Sequence, residues 1–176
     1  GDWDTSDNYM RSILAARGHA LITAWAGRPH WFFHPLGLGA TFGDCARISQ
    51  NNSRADYAPA GTSARGVHMA LLGDPTLRMH VLTPPRALRL TQRAGGGIQI
   101  SWRGPEERGI RYLVYRSTSK GGPFTRLTQD PLKPCALFDP QGKAGHVYRV
   151  KSIRLQKSPG GSYWNTSQGI SAGGAR

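Results

Sequence analysis

The hydrophobic pattern of this chain changes its period at Thr83-Pro84-Pro85. Before this segment, apolar side chains recur at helical spacing or in short continuous runs; after it, they alternate with period two. Both prolines fix the φ angle, so the segment predicts a stiff linker. The 176 residues suit one domain or one and a half. We therefore expect an α/β part at 1–83, an all-β part at 84–173 and a tail at 174–176.

The second part carries the clearest strand signal. Its alternating apolar residues are Leu88 and Leu90; Ile98, Ile100 and Trp102; Tyr112 and Val114; and Tyr148 and Val150. Turn signals such as Gly95-Gly96-Gly97 and Asp139-Pro140 separate the runs. Short strands with turns about every 8–12 residues predict a β-sandwich.

The first part begins with a helix and then an apolar run. Helical spacing of apolar residues predicts a helix from Tyr9 to Ala16, with Ser6 or Asp7 as its cap and Gly18 at its end. The run His19–Trp25 is too short for a stable helix and predicts a buried strand of a parallel sheet.

Further elements follow in the same part. The spacing predicts a second helix over Leu36–Ser49 and a third over Val67–Leu72, which Gly73 ends. Asp74 and Pro75 then begin a turn. Met79–Leu82 predicts a strand. About 80 residues is short for a complete α/β domain, since ~100–150 is usual. We expect the first part to be the C-terminal remainder of a longer domain, or else the start of a processed chain.

The segment that follows the first predicted strand is crowded with aromatic and basic side chains. In α/β folds, ligands bind past the carboxyl ends of strands. The substrate-binding candidates in this segment are Trp25, Arg28, His30 and Trp31. His30 and His34 have a spacing that could hold zinc on one helical face, but Pro35 limits any helix and no third ligand is evident. We predict no metal site, and aromatic packing is the alternative to a substrate pocket.

The positive charge belongs to the second part. Residues 1–83 hold seven Arg against six Asp, a net charge of +1; the rest holds 16 Lys or Arg against four Asp or Glu, a net charge of +12. Such a surplus attracts acidic polymers. Because the cations alternate along predicted strands and form no run, we do not expect nucleic acid as a partner, and a solvated outer face is the simpler interpretation.

Two cysteines lie one in each part, Cys45 and Cys135. Spacing alone leaves open whether they form a disulfide or remain two thiols. No apolar run reaches the ~18–20 residues that span a bilayer, so no membrane span is predicted.

Residues 84–173 resemble a fibronectin type III or related immunoglobulin-like module. The resemblance rests on the Pro84-Pro85 entry, a strand that ends in Trp102, the strand Tyr112–Arg116, and Tyr148 in the last strand. It implies the fold but no ligand, because such modules are most often spacers or adhesive domains.

The first part resembles the C-terminal end of a gingipain-like cysteine peptidase domain, which has a caspase-type α/β fold. Gly1-Asp2-Trp3 resembles the turn after the family's catalytic Cys, and Trp25–Pro29 resembles the loop that walls its specificity pocket. Leu71–Leu77 resembles the segment that closes the domain. In this family an immunoglobulin-like domain commonly follows the peptidase domain, as here.

The resemblance implies a nucleophilic Cys three residues before Gly1 and its partner His further upstream. Both are required, because the His takes the thiol proton before the thiolate attacks the carbonyl. We therefore assign no catalytic residue and no cofactor, and expect this chain alone to be inactive.

Two functions from different classes are weighed. The first is the C-terminal fragment of a secreted or cell-surface gingipain-like cysteine endopeptidase that acts on a polypeptide substrate. The alternative is a non-catalytic adhesion protein whose basic sandwich binds an acidic cell-surface polymer. A carbohydrate-active protein that stacks sugars on the aromatics of Trp25–Phe33 ranks last, because it would need paired carboxylates.

Overall fold

The chain divides into two compact units. The first, the N-terminal unit, runs to Met79 and includes Ser158–Gly161; the second, the sandwich, holds His80–Lys157 and the residues from Ser162 onward. The structure, a computed structural model, describes residues 5, 7–18, 20–26, 31–51 and 69–173.

Helices and strands alternate in the described part of the N-terminal unit. In chain order they are α1 (Tyr9–Ala15), β1 (Ile22–Ala26), a 3-10 helix (His34–Leu38), α2 (Phe42–Asn51) and β2 (Met69–Gly73). Helix α1 packs against both strands, and α2 packs against β2 and the 3-10 helix. The buried apolar side chains of this part are few: Met10, Leu36, Cys45 and Ala46.

The first helix confirms its prediction, with a different cap. The Asn8 side chain accepts a hydrogen bond from the Arg11 backbone N–H at 3.2 Å. Asn at this position satisfies one of the free N–H groups of the first turn. Ser6, one of the two predicted caps, lies outside the described residues. The helix ends at Ala16, whose backbone is extended, and so before the predicted end at Gly18.

The second predicted helix is divided in two. The 3-10 helix ends at Gly39, whose φ of 88° is left-handed, and α2 begins after Thr41. Asp44 Oδ2 accepts from the Thr41 N–H (3.1 Å) and hydroxyl (2.9 Å), while the Asp44 N–H donates to Thr41 Oγ1 (3.0 Å). This reciprocal capping box starts α2. The Thr41 hydrogen bonds hold the pKa of Asp44 below its ordinary value.

The prediction of a buried parallel strand at His19–Trp25 is wrong. Strand β1 pairs antiparallel with β2, with Trp25 opposite Ala70 and Ile22 opposite Gly73. The predicted segment is also only partly buried: Thr23 is buried, but Leu21 and Trp25 are 61% and 54% exposed.

The helix predicted for Val67–Leu72 is also wrong, because β2 occupies Met69–Gly73. Met, Ala and Leu favour a helix when taken alone. Here the pairing of the whole segment with β1 overrides that local preference. The predicted turn after it is confirmed: Asp74 Oδ1 accepts from the Thr76 N–H at 2.8 Å.

That turn also meets the start of α2. The N–H groups of Phe42 and Gly43 donate to the carbonyls of Leu77 (3.1 Å) and Pro75 (2.8 Å). Two N–H groups at the start of the helix therefore find their acceptors in the Asp74-Pro75 turn.

The strand predicted at Met79–Leu82 is wrong as well. These residues lie outside regular structure, and only Leu82 is buried. Backbone groups in and next to this segment form hydrogen bonds with side chains and not with a partner strand. The Asn165 amide donates to the His80 carbonyl at 3.1 Å, and the Thr83 N–H donates to Glu107 Oε1 at 3.2 Å.

The sandwich consists of two antiparallel sheets. Its strands are β3 (Arg86–Gln92), β4 (Ile98–Arg103), β5 (Arg111–Ser117), β6 (Thr125–Arg126), β7 (Ala136–Asp139), β8 (Val147–Ser158), β9 (Gly161–Thr166) and β10 (Ile170–Gly173). One sheet has the order β3-β4-β7, and the other has the order β10-β8-β5-β6, with β9 also paired to β8. The first, second and fifth strands of the sandwich thus form one sheet, and the other strands form the second. This arrangement is typical of an immunoglobulin-like sandwich.

The alternating residues of the sequence form the core between the sheets, as predicted. The buried cluster is Ile98, Ile100, Trp102, Tyr112, Val114, Tyr148 and Val150. None of its members is more than 6% exposed. Removal of this apolar area from water is the main stabilising term, roughly 1.5–3 kcal/mol for each large side chain.

A buried polar network joins the two sheets. The Arg116 guanidinium on β5 donates to both oxygens of Asp139 on β7, at 3.0 and 2.9 Å. Asp139 also accepts from the Tyr148 hydroxyl (2.8 Å) and the Gln141 N–H (3.1 Å). Burial, together with the hydrogen bond to Asp139, raises the pKa of Tyr148 above its ordinary value.

The second core tyrosine lies beside a cysteine. Burial raises the pKa of Tyr112 to about 12, and a hydrogen bond with the Cys135 thiol acts in the same direction. Cys135 is half-buried and Cys45 is buried, and both are free thiols. No helix in the described ranges is both long and apolar enough to cross a membrane.

Candidate functional site

The structure brings two of the four predicted substrate-binding residues together. The Trp31 indole Nε1–H donates to the backbone carbonyl of Trp25 at 3.1 Å. Trp25 is an exposed residue of β1, and Trp31 lies in the segment that leads into the 3-10 helix. Arg28 and His30 lie outside the described residues, between the two tryptophans.

Further aromatic rings extend this contact into an aromatic cluster. Its members are Tyr9, Trp25, Trp31, Phe33 and Phe42. Trp31 and Phe33 are stacked, with 5.3 Å between ring centroids and an interplanar angle of 3°; the other contacts are edge-to-face. Trp25 and Tyr9 are 54% and 66% exposed. Such a surface can receive an apolar or planar group.

Metal ligands do not converge in the part of the chain that the structure describes. It holds no group of three or more His, Cys, Asp or Glu side chains that could bind a metal ion. His34 begins the 3-10 helix, and its ring meets that of Phe32 edge-to-face at 6.3 Å. His30, its partner in the zinc alternative, lies outside the described residues.

The cysteine of the N-terminal unit is a poor nucleophile. Cys45 lies inside α2 with no exposed surface, and desolvation by burial raises the pKa of its thiol. A thiolate is the reactive form, and an apolar surrounding disfavours it. Its backbone carbonyl accepts from the Ser49 hydroxyl at 2.7 Å, which ties the residue to helix structure.

A second candidate site lies on the outer face of the β10-β8-β5-β6 sheet. Since Tyr148 and Val150 point into the core, their neighbours on β8 point outward. The same alternation applies on β5, and the register places Tyr115 opposite Arg149 and Arg126. We call this surface the cationic face, defined by Arg111, Arg126, Arg149 and Lys151.

Acidic side chains are absent from the strands of this face. The sequences of β5, β6, β8, β9 and β10 contain no Asp or Glu. The three ion pairs among the described residues involve Arg47, Arg116 and Arg154, and so none of the four cations. No carboxylate among the described residues therefore neutralises these four cations in an ion pair, although Arg126 donates to the backbone carbonyls of Thr128 and Gln129.

The sequence predicts a basic sandwich but does not identify which of its cations share one face. The alternation that identified the strands also assigns every second residue of β8 to the outer side. Arg149 and Lys151 occupy two successive outward positions, and Arg111 occupies one on β5. Spacing alone leaves a solvated surface and a polymer-binding surface as alternatives, because the pairing of β5 with β8 is a property of the whole fold.

No family model matches the chain, and no curated protein matches it. Solved structures similar to it include fibronectin type III-like domains. An Fn3-like protein from Clostridium thermocellum is 20% identical over 53% of this chain and 94% of its own, with a TM-score of 0.36. The fn3 domain of the human collagen alpha-1(XX) chain is 25% identical over 53% of this chain and 84% of its own, with a TM-score of 0.39.

A third similar structure is a beta-1,2-glucanase from Parabacteroides distasonis, 21% identical over 65% of this chain, with a TM-score of 0.29. The chain spans 17% of the length of that enzyme. The fibronectin type III-like neighbours cover about half the chain. The β-sandwich itself is assigned from the strand order and core described above.

Proposed function

We propose that this chain is the C-terminal part of a secreted, gingipain-like cysteine endopeptidase, with a fibronectin type III-like sandwich as its accessory domain. Its N-terminal unit contributes to the substrate pocket, and the nucleophile and its histidine belong to a preceding segment. The observation that carries the proposal is the Trp31 hydrogen bond to Trp25, because it ties Trp25, which lies in the segment that resembles the pocket wall, to a second substrate-binding candidate.

The strand pairing is compatible with this proposal. Mixed sheets often carry an antiparallel edge strand on an otherwise parallel sheet. Strand β2 would be that edge in a caspase-type domain, and β1 would pair with further strands on its other side. The exposure of Leu21 and Trp25 favours a unit that a larger domain covers.

Arg28 would set the specificity of such a pocket. A guanidinium that faces the pocket would disfavour basic and favour acidic substrate side chains. The test is the cleavage preference of a longer protein that extends upstream of Gly1, measured on peptide libraries. We expect cleavage after acidic residues, its loss in Trp25→Ala, and no cleavage by the present chain. A strict preference for Arg or Lys would contradict the specificity, and no peptidase activity in the longer protein would contradict the function.

A second candidate function rests on the cationic face. We propose that the sandwich binds an acidic polymer at the cell surface, since four cations share a face whose strands have no acidic residue. Retention on immobilised heparin tests this: we expect it to persist at about 0.15 M salt, where the Debye length is about 8 Å. Elution well below that salt concentration would leave only the attraction of bulk charge.

A further inference from the structure

One arginine of the cationic face is held in place by its neighbours. The guanidinium of Arg149 lies 3.9 Å from the centroid of the Phe124 ring. Its Nε–H donates to the Ser171 hydroxyl at 3.0 Å. The ring and the hydroxyl together orient the guanidinium, and its two Nη groups carry the donors that do not take part in the bond to Ser171.

The aliphatic stem of the Arg149 side chain packs closely against the backbone of a glycine. A Cβ at Gly169 would lie 2.6 Å from Arg149 Cγ and 2.7 Å from its Cδ. It would also lie 3.3 Å from Lys151 Cγ. The backbone between β9 and β10 therefore packs directly on the stems of both cations, and only a residue without a side chain allows this approach.

We propose that Arg149 and Lys151 form an oxyanion-binding site that recognises sulfate or carboxylate groups on an acidic polysaccharide. This inference rests on the polymer-binding function proposed above. A guanidinium offers two parallel N–H donors that match two coplanar oxygens, and Lys151 supplies a second charge two residues along the same strand. Because Arg149 is already ordered by Phe124, Ser171 and Gly169, little side-chain entropy is lost on binding.

A polysaccharide fits this site better than a nucleic acid does. One face of the Phe124 ring is covered by Arg149 and is not open to a stacked base. Recognition of single-stranded nucleic acid depends on such stacking. The oxyanion, in contrast, needs only the donors and charges that the site presents.

The experiment measures binding of the whole chain to a heparin oligosaccharide, an oligogalacturonate and a single-stranded oligonucleotide, at several salt concentrations. Arg149→Ala removes the charge and the donors, Arg149→Lys keeps the charge, and Gly169→Ala keeps both but displaces the stem. Arg89→Ala, on the β3-β4-β7 sheet, is the matched control for loss of one exposed charge. Preference for heparin would identify sulfate, and preference for oligogalacturonate would identify carboxylate.

We expect both Arg149 variants to weaken polysaccharide binding about tenfold, and Gly169→Ala about threefold or more. Arg149→Ala should also lower the salt slope by roughly 0.7–0.9, while Arg149→Lys and Gly169→Ala should leave it unchanged. Arg89→Ala should change affinity less than about twofold.

Three results would overturn the inference, and they are distinguishable. If the unaltered chain does not bind either polysaccharide at physiological salt, the polymer-binding function falls together with the site. If the unaltered chain binds, and the Arg149→Lys and Gly169→Ala variants bind as tightly as it does, then only the proposed Arg149 site is wrong. If the chain binds the oligonucleotide as tightly as the polysaccharides, its affinity reflects bulk charge and not recognition of a polysaccharide.

Discussion

The two units of this chain differ in how completely they bury their own aromatic residues. In the sandwich, Trp102 and Tyr112 lie in the core at 5% and 4% exposure. In the N-terminal unit, Trp25 and Tyr9 contact each other and remain 54% and 66% exposed. The sandwich therefore stabilises itself through its own two sheets, whereas the apolar surface of the N-terminal unit has no equivalent cover in the described structure.

The sharpest test of this difference compares one substitution in the two units. Trp102→Ala should cost about 3–5 kcal/mol of unfolding free energy, because it leaves a large cavity. Trp25→Ala should cost less than about 1 kcal/mol, since its side chain is exposed and its backbone carbonyl still accepts from Trp31. Urea denaturation with amide hydrogen exchange would separate the units, and equal losses would contradict the contrast.

The next largest effect concerns the network that joins the sheets. Asp139→Ala would leave the half-buried Arg116 guanidinium and the buried Tyr148 hydroxyl without their shared acceptor, so we expect a loss of about 3 kcal/mol. The amide protons of β5 and β8 should exchange faster, while those of α1 should not change. Asp130→Ala is the control, because this exposed residue should change stability by less than about 0.5 kcal/mol.

In the N-terminal unit the comparable weak point is a glycine. Gly73 has a φ of +110°, and a Cβ there would overlap the Leu21 carbonyl oxygen. Gly73→Ala should therefore cost about 1–3 kcal/mol and loosen the β1–β2 ladder. Gly18→Ala, with nothing within 4 Å of its Cβ, is the control. Faster amide exchange in the sandwich as well would show that the units do not respond separately.

Alkaline pH should weaken the sandwich. The pKa of Tyr112 is raised from 10.0 to about 12 in the folded chain. The folded state thus binds this proton more tightly, so the stabilisation is complete below pH 10 and is lost as pH rises toward about 12. Tyr112→Phe cannot titrate and should lose less stability over this range in thermal melts. An identical alkaline decline in the variant would assign the effect to other groups.

Acid should act on the N-terminal unit, and this effect should be the smallest. The pKa of Asp44 is lowered by its hydrogen bonds with Thr41. Its contribution is present above its ordinary pKa of 3.8 and is lost as pH falls through the lower folded value. Asp44→Ala should flatten the acid response of α2, followed by circular dichroism and amide exchange, whereas Asp7→Ala should not.

The sequence predicted the sandwich better than the N-terminal unit for a physical reason. Alternation in Ile98–Trp102 predicts directly which side chains are buried, because a strand has only two faces. The run Met69–Leu72 has no such alternation, and its helix-forming residues became a strand only through pairing with β1. Partner and direction are properties of the whole fold, which local spacing does not contain.

The candidate sites show the same limit. The contact of Trp25 with Trp31 follows from their closeness in sequence. The approach of Gly169 to Arg149 and the pairing of Asp139 with Arg116 each join residues about 20 apart. Asp139-Pro140 predicts only a turn, and nothing in the local sequence indicates the guanidinium that Asp139 binds.

The Arg116–Asp139 pair has a consequence for how the two sheets align. Apolar side chains tolerate small slides of one sheet over the other, since one methyl contact can replace another. The carboxylate of Asp139 accepts hydrogen bonds from three separate groups. A slide of a few ångströms would leave this buried charge without those donors. We therefore expect the Arg116–Asp139 pair to fix the position of one sheet relative to the other. It would thereby select one alignment of the sandwich from several that bury a similar apolar area.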